Sequence, residues 1–161
     1  MASQAEKSSG GALTRDKLIE LLNQDLAREF QAIIAYVVYS QVLKGAEYMN
    51  IAGELEKHAG EELQHALQIA KQIDYLAGTP TVEPAPVKPP TGNKEMLQAD
   101  LNNENTTVGN YRERVRQCEQ LGEFATAEII REILIQEQDH QIALATALGI
   151  DVPVVKARDT K

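Results

Sequence analysis

The chain contains two copies of one pattern, in which a glutamate is followed at fixed spacing by a Glu-x-x-His motif. In both copies the motif begins 33 residues after the leading glutamate, and one shift of 75 residues superimposes the first copy on the second. The six matched residues are Glu29, Glu62 and His65 in the first copy and Glu104, Glu137 and His140 in the second. Four carboxylates and two imidazoles at this spacing are the ligand set of a two-metal site inside a four-helix bundle.

Helical periodicity places these residues on the inward faces of four predicted helices. Four long segments carry apolar residues at helical spacing, and each is followed by a glycine, a residue that commonly ends helices. The predicted helices span residues 13–44, 46–77, 93–121 and 123–148. Thr14 is the expected N-cap of the first helix. All six repeated residues fall near the middle of their helices and on the apolar stripe.

The connection between the second and third helices is rich in proline. Residues 79–92 hold five of the chain's six prolines, so they are expected to form an extended connection. A long connection lets the third helix begin at the far end of the bundle. The predicted fold is therefore all-α, a four-helix bundle with one long crossover between helices two and three. This domain spans residues 13–149, between a disordered N-terminal tail (1–12) and a short C-terminal tail (150–161).

Inward-facing glutamates need a compensating charge, because moving an unpaired carboxylate out of water costs free energy or forces it to bind a proton. Two divalent cations would cancel four such charges, and the imidazoles would complete the coordination as neutral donors. The sequence therefore predicts two metal ions per chain, iron or manganese, since these ligands accept both. Other glutamates within the helices, such as Glu54, Glu56 and Glu61, are interpreted as ordinary surface charge.

Three further residues share the ligand face, namely Tyr36, Tyr111 and His58. The shift of 75 residues maps Tyr36 onto Tyr111, but it maps His58 onto Ile133. The tyrosines are either core aromatics or hydroxyl groups that orient a carboxylate or supply an electron. His58 is either a hydrogen-bonded core histidine or a residue that contacts the metal.

The overall charge weighs against nucleic acid as a partner. The chain carries 24 acidic against 16 basic residues, for a formal charge of −8, whereas phosphate-binding surfaces need clustered Lys and Arg. No apolar run is long enough to span a membrane and no signal peptide opens the chain, so no membrane partner is expected. The single cysteine, Cys118, suits a reducing cytoplasm, which is the expected location.

Over about residues 18–149 the chain resembles the bacterioferritins of the ferritin-like superfamily. The resemblance is carried by Asp-Leu-x-x-Glu at 100–104, the Glu29–Tyr36 spacing, Glu-x-x-His-Ala at 62–66 and Glu-x-x-His at 137–140. It implies a ferritin-like bundle in which Glu62 and Glu137 bridge two irons. It also implies that one glutamate and one histidine complete each iron site, Glu29 with His65 and Glu104 with His140.

The activity implied by this resemblance is that of a ferroxidase. Such an oxidoreductase binds Fe²⁺, oxidises it with dioxygen or hydrogen peroxide, and in cage-forming members stores Fe³⁺. The implied partners are Fe²⁺, the oxidant and further copies of the chain, in a homo-oligomer of at least two subunits.

Three positions depart from the family pattern. Leu63 stands where bacterioferritins place the methionine that ligates haem across a dimer interface, so no haem is expected. The chain after His140 leaves no room for the family's fifth helix, which lines the four-fold channels of the 24-subunit shell. This argues against a 24-mer and leaves a dimer or a smaller, Dps-like shell open. Lys57 occupies the position of a cavity-facing histidine ligand, so an extra iron site inside a cavity is not expected.

Two alternative functions stay open. One is a di-manganese or di-iron peroxidase of the catalase or rubrerythrin kind, although a rubrerythrin usually adds a four-cysteine iron domain that one cysteine cannot supply. The other is a Dps-like DNA-protection protein. The N-terminal residues offer only Lys7 before Arg15, too little for a basic DNA-binding arm.

Overall fold

The computed structural model describes residues 12–156, which fold into four long helices. These are α1 (Arg15–Val42), α2 (Met49–Tyr75), α3 (Asn93–Gln120) and α4 (Phe124–Leu148). No β-strand occurs within residues 12–156, and none of the helices there is long and apolar enough to cross a membrane. The predicted all-α four-helix bundle is confirmed. The predicted tail 1–12 lies outside the described residues except for Ala12, and the tail 150–161 is described only to Lys156.

The starts of the first two helices follow from local hydrogen bonding. Thr14 Oγ1 accepts a hydrogen bond from the Lys17 backbone N–H at 3.1 Å, which confirms the predicted N-cap of α1. The second helix was predicted to begin at residue 46. Residues Ala46–Tyr48 instead form a single 3₁₀ turn, and the α-helix begins at Met49.

The end of α2 lies two residues before the predicted position. Ala77 adopts the left-handed conformation (φ 68°), and the Gly78 N–H donates to the Ile73 carbonyl at 2.9 Å. This hydrogen bond satisfies a carbonyl that would otherwise be unpaired at the end of the helix. Gly78 has a different role, because a Cβ there would lie 2.4 Å from Ile19 Cγ2 on α1. Glycine at this position lets the end of α2 approach α1 closely.

The proline-rich connection runs along α1 in the same direction as that helix. The Ala85 N–H donates to the Ala27 carbonyl at 2.8 Å, and farther along the Tyr39 hydroxyl donates to the Lys88 carbonyl at 2.6 Å. Because α2 returns to the start of α1, the connection carries the chain back to the other end of the bundle. The predicted long crossover is confirmed.

The third helix therefore begins beside the end of α1. The Asn93 side chain accepts from the Lys44 N–H at 3.2 Å and donates to the Lys44 carbonyl at 2.6 Å. From this junction α3 runs antiparallel to α1. The midpoints of the two helices, which carry Glu29 and Glu104, come to the same level of the bundle.

Two apolar clusters fill the bundle, one toward each end. The first includes Leu18, Leu22, Leu26, Ile69, Ile73, Cys118 and Ile130. The second includes Tyr39, Leu43, Leu55, Leu97, Leu101 and Leu144. Both are mainly aliphatic, as the aromatic content of 4 % requires. The six repeated residues lie in the layer between the two clusters.

A buried ion pair joins α1 to α3 close to this layer. Arg114 donates to both carboxylate oxygens of Asp25, at 2.6 Å from Nε and 3.2 Å from a terminal nitrogen. The 75-residue shift relates Asp25 to Asp100 and Tyr39 to Arg114, so the matching position in the other half holds no cation. Burial, and secondarily repulsion from Glu62, raises the pKa of Asp100 to about 8.

Candidate metal centre

All six repeated residues converge in the middle of the bundle. Helices α1 and α3 contribute one glutamate each, and α2 and α4 each contribute a glutamate and a histidine one turn apart. Each of these residues is at most 3 % exposed. The convergence follows from their common position on the apolar stripes, because those stripes face one another in the core.

The convergent side chains form two groups of four that have two members in common. The first group is Glu29, Glu62, His65 and Glu137, and the second is Glu62, Glu104, Glu137 and His140. Within each group the potential ligand atoms lie within 4.8 Å of one another. Glu62 and Glu137 belong to both groups and therefore lie between the two positions that a metal could occupy.

Both histidines direct Nδ1 into this centre. His65 Nδ1 lies 3.1 Å from Glu62 Oε2, and His140 Nδ1 lies 3.0 Å from Glu62 Oε1. Glu137 is 3.3 Å from each of the same two nitrogens. The outward Nε2 atoms have separate partners.

The outward partners were not identified from the sequence. His65 Nε2 lies 2.6 Å from Gln136 Oε1, and His140 Nε2 lies 2.9 Å from Glu61 Oε2. The interpretation of Glu61 as ordinary surface charge is wrong, because this half-buried carboxylate contacts a buried imidazole. The 75-residue shift maps Glu61 onto Gln136. Their common place, directly before each inward glutamate, is the signal that could have found them.

The two tyrosines connect the halves of the chain reciprocally. The Tyr36 hydroxyl donates to Glu104 Oε1, and the Tyr111 hydroxyl donates to Glu29 Oε1. Each tyrosine therefore orients the leading glutamate of the opposite repeat, and the tyrosine ring itself is buried in the core. Among the interpretations left open by the sequence, this geometry favours orientation of a carboxylate.

His58 lies against the centre but belongs to neither group of four. Its ring stacks on His140, with centroids 4.0 Å apart, and meets Tyr36 edge-on at 5.4 Å. Burial, followed by the charge on His140, lowers the pKa of His58 to about 3, so the ring is uncharged at neutral pH. His58, Glu61 and His140 also form a third group of potential ligands. That group reuses His140, so it is attached to the main centre rather than separate from it.

Several potential ligand atoms at this centre lie close to one another but make no hydrogen bond of acceptable geometry within residues 12–156. They are Glu29 Oε2, Glu62 Oε1, both oxygens of Glu137 and His140 Nδ1. Buried acceptors without partners are costly and rare in native proteins. These lone pairs point into a centre built of carboxylates and imidazoles, the donor types that suit divalent iron, manganese and zinc. The residues present therefore fit a pair of divalent cations.

Without metal, the centre must redistribute protons. Burial raises the pKa of Glu29 well above its usual value, and the charge on Glu62 raises it further. The pKa of Glu104 is raised in the same way, by burial and then by Glu137. Burial opposes ionisation of Glu62 too, but hydrogen bonds from Glu29 and the two histidines outweigh it and lower the pKa of Glu62.

The histidines take up the opposite charge. Burial alone would lower the pKa of His140, but its contacts with Glu137 and Glu62 raise that pKa to about 12. The pKa of His65 is raised for the same reason, by Glu137, Glu29 and Glu62. The metal-free centre thus holds imidazolium groups and protonated carboxyls. A bound metal would replace protons on these groups, so metal binding should release protons.

A small cavity adjoins the centre. A cavity of about 10 Å³ lies between α1 and α3 and is lined by Glu29, Glu62, Glu104, Glu137 and, at its rim, Arg28. That volume is roughly what one water molecule needs. Arg28 is held across this gap by the Asn103 carbonyl at 3.0 Å. Sequence reasoning did not single out Arg28, because only the packing of α1 on α3 places it there.

Comparison with known proteins points to one family. A family model described as Ferritin-like domain matches residues 19–150, a range that contains all six convergent residues. The bacterioferritin of Brucella melitensis is 29 % identical over 83 % of this chain and 84 % of its own length. The bacterial ferritin of Pseudomonas aeruginosa is 30 % identical over 83 % of this chain and 88 % of its own length. A solved ferritin-like, diiron-carboxylate protein from Bacillus anthracis is 31 % identical with a TM-score of 0.80, covering 83 % of this chain and 96 % of that one.

The raised pKa of Glu29 predicts how Glu29→Gln changes the stability of metal-free protein. The native state holds the Glu29 proton to a higher pH than the unfolded chain, so wild-type stability falls as pH rises above the usual value of 4.5. Glutamine keeps the shape and can accept from Tyr111, but it carries no charge. We expect Glu29→Gln to melt above wild type at pH 7.5 in chelator-treated protein, with the difference shrinking toward pH 4.5.

The measurement is thermal unfolding followed by circular dichroism across this pH range. Glu20→Gln, an exposed substitution on the same helix, serves as the matched control and should leave the pH profile of wild type unchanged. A metal-free Glu29→Gln protein that melts below wild type at pH 7.5 would show that Glu29 is not crowded by buried carboxylates.

Proposed function

The chain belongs to the ferritin-like domain family, and from that premise we propose that it binds two Fe²⁺ ions and oxidises them to Fe³⁺ with dioxygen or hydrogen peroxide. The observation that carries the proposal is the pair of four-residue groups that share Glu62 and Glu137. Two divalent ions would bring four positive charges to four buried carboxylates.

The proposed ligand roles follow from membership of the two groups. Glu62 and Glu137, which are common to both, would bridge the ions. Glu29 with His65 would complete one ion, and Glu104 with His140 would complete the other. Glu29 and Glu104 are the terminal glutamates, each contacting one ion only. The hydroxyl groups of Tyr111 and Tyr36 would hold them in place.

The paired arrangement suits a two-electron reaction. Each Fe²⁺ gives up one electron on oxidation. A pair therefore supplies the two electrons that convert dioxygen to hydrogen peroxide, or hydrogen peroxide to water. Shared carboxylates hold the ions close enough to act on one oxidant molecule.

We propose further that the protein acts as a homo-oligomer of at least two subunits and that it can store the Fe³⁺ product. Large apolar side chains are half exposed on the neighbouring helices α1 and α2, namely Val37, Leu63 and Leu67. Exposed apolar patches on soluble proteins commonly mark protein interfaces. Light scattering of the purified protein tests the oligomeric state. A monomeric mass at all concentrations would exclude the homo-oligomer.

Metal stoichiometry and ligand substitutions test the central proposal. We expect anaerobic Fe²⁺ titration of wild type to saturate at two ions per chain, as the two groups require. Glu62→Ala and Glu137→Ala should each reduce the initial rate of Fe²⁺ oxidation by at least about tenfold, because each removes a ligand from both ions. Glu29→Ala and Glu104→Ala should cause smaller losses, since each removes a ligand from one ion.

Oxidation is followed by stopped-flow absorbance of Fe³⁺ after mixing with dioxygen or hydrogen peroxide. Glu56→Ala, a substitution of an exposed glutamate on α2, serves as the control and should oxidise Fe²⁺ at the wild-type rate. A wild-type protein that binds no Fe²⁺, or four ligand variants with unchanged rates, would refute the proposal.

A separate prediction concerns haem. Leu63 lies on the exposed face of α2, where it offers no ligand atom. We expect protein expressed with added haem precursor to show no Soret absorption band. Leu63→Met is the informative variant, because it restores the thioether of the family pattern. A stoichiometric Soret band in wild-type protein would show that another residue ligates haem.

A further inference from the structure

The outward nitrogens (Nε2) of the two ligand histidines contact chemically different groups. His65 Nε2 meets the neutral amide oxygen of Gln136 at 2.6 Å, whereas His140 Nε2 meets a carboxylate oxygen of Glu61 at 2.9 Å. Glu61 and Gln136 occupy equivalent positions under the 75-residue shift. The inward ligands of the two halves are identical, so this contact is one of the points at which the two half-sites differ; another is His58, which stacks on His140 and has Ile133 as its counterpart.

The difference reaches the metal through the imidazole ring. Both rings turn Nδ1 toward the shared glutamates, so Nδ1 must provide the lone pair for a metal and Nε2 must carry the proton. A hydrogen bond to a carboxylate is stronger than one to an amide, because the acceptor is charged. It draws the Nε2 proton away from the ring and makes Nδ1 the better electron donor.

We propose that Glu61 and Gln136 act as positioning residues that give the two half-sites unequal affinity for divalent metal. The half-site of Glu104 and His140, supported by Glu61, binds the tighter ion. The half-site of Glu29 and His65, supported by Gln136, binds the weaker one. This inference rests on the proposed function, since it assumes that the six convergent residues hold two metal ions.

The size of the effect is limited by the surroundings of Glu61. Its side chain is 26 % exposed, and Lys57 Nζ lies 3.8 Å from its carboxylate, so solvent and an opposite charge both screen it. The contact with His140 is nevertheless direct, and His140 itself is 1 % exposed. Loss of such an outer hydrogen bond typically costs 10–100-fold in metal affinity. We expect the lower end of that range, about tenfold.

The test compares the half-sites one at a time, because repulsion between two bound ions would weaken the second ion even at identical sites. Glu29→Ala disables the half-site of His65, and Glu104→Ala disables that of His140. Each variant loses one terminal glutamate and one tyrosine contact, so the pair is matched. Anaerobic titration with Co²⁺ by calorimetry and visible absorption gives one dissociation constant for each. The constant should be about tenfold lower in Glu29→Ala, which keeps His140.

Two reciprocal substitutions then assign the difference to the outer partners. Glu61→Gln, added to Glu29→Ala, should weaken Co²⁺ binding about tenfold, and Gln136→Glu, added to Glu104→Ala, should strengthen it by a similar factor. Misfolding cannot produce both a loss and a gain. Glu56→Gln removes an exposed carboxylate from α2, and Gln138→Glu adds a charge to α4. Both controls should leave the constants unchanged.

The outcomes separate this inference from the proposed function. Two Co²⁺ ions bound by wild type, with equal constants in Glu29→Ala and Glu104→Ala, would overturn the inequality and keep the metal centre. The inference also fails if the controls shift the constants as much as the reciprocal substitutions do. Wild-type protein that binds no Co²⁺ would overturn both the inference and the proposed function.

Discussion

The structure depends on one electrostatic constraint, the burial of four glutamates in a single layer of an aliphatic bundle. Such a layer is unfavourable unless protons or cations balance its charge. A packed apolar cluster lies on each side of the charged layer, and the two clusters hold the helix backbones in place. The carboxylates therefore cannot escape to water by small movements. The same rigidity keeps two groups of ligand atoms within coordination distance of one another.

The repeated halves of the chain complete each other. Each tyrosine donates to the leading glutamate of the opposite repeat, and each of the two convergent histidines contacts a side chain of the opposite repeat. Neither half could form this centre alone. The symmetry is nevertheless incomplete, because near the centre positions 39 and 114, 58 and 133, and 61 and 136 carry different residues in the two halves. These differences surround an inner set of ligands that is the same in both halves.

Much of the fold and of the candidate site could be predicted from periodicity. A helix repeats every 3.6 residues, so apolar stripes identified the four helices, and the glutamates on those stripes had to face the core. The prolines at 79–92 predicted the crossover because proline removes the helical hydrogen bond. The predicted start of α2 was wrong by one 3₁₀ turn, since helix ends depend on a few local bonds that periodicity does not describe. The roles of Glu61, Gln136 and Arg28 were missed because each lies off the apolar stripe.

The sequence by itself determined which residues could converge, because spacing along a helix decides which side chains share a face. It determined the ligand types and the repeat that relates the two halves. Only the tertiary structure decided which glutamates belong to both groups and which nitrogen of each histidine points inward. It also decided which outer side chains contact those rings, and that Arg28 spans the gap above the carboxylates. These features depend on the rotation and height of each helix relative to its neighbours, which are set by packing between residues far apart in the chain.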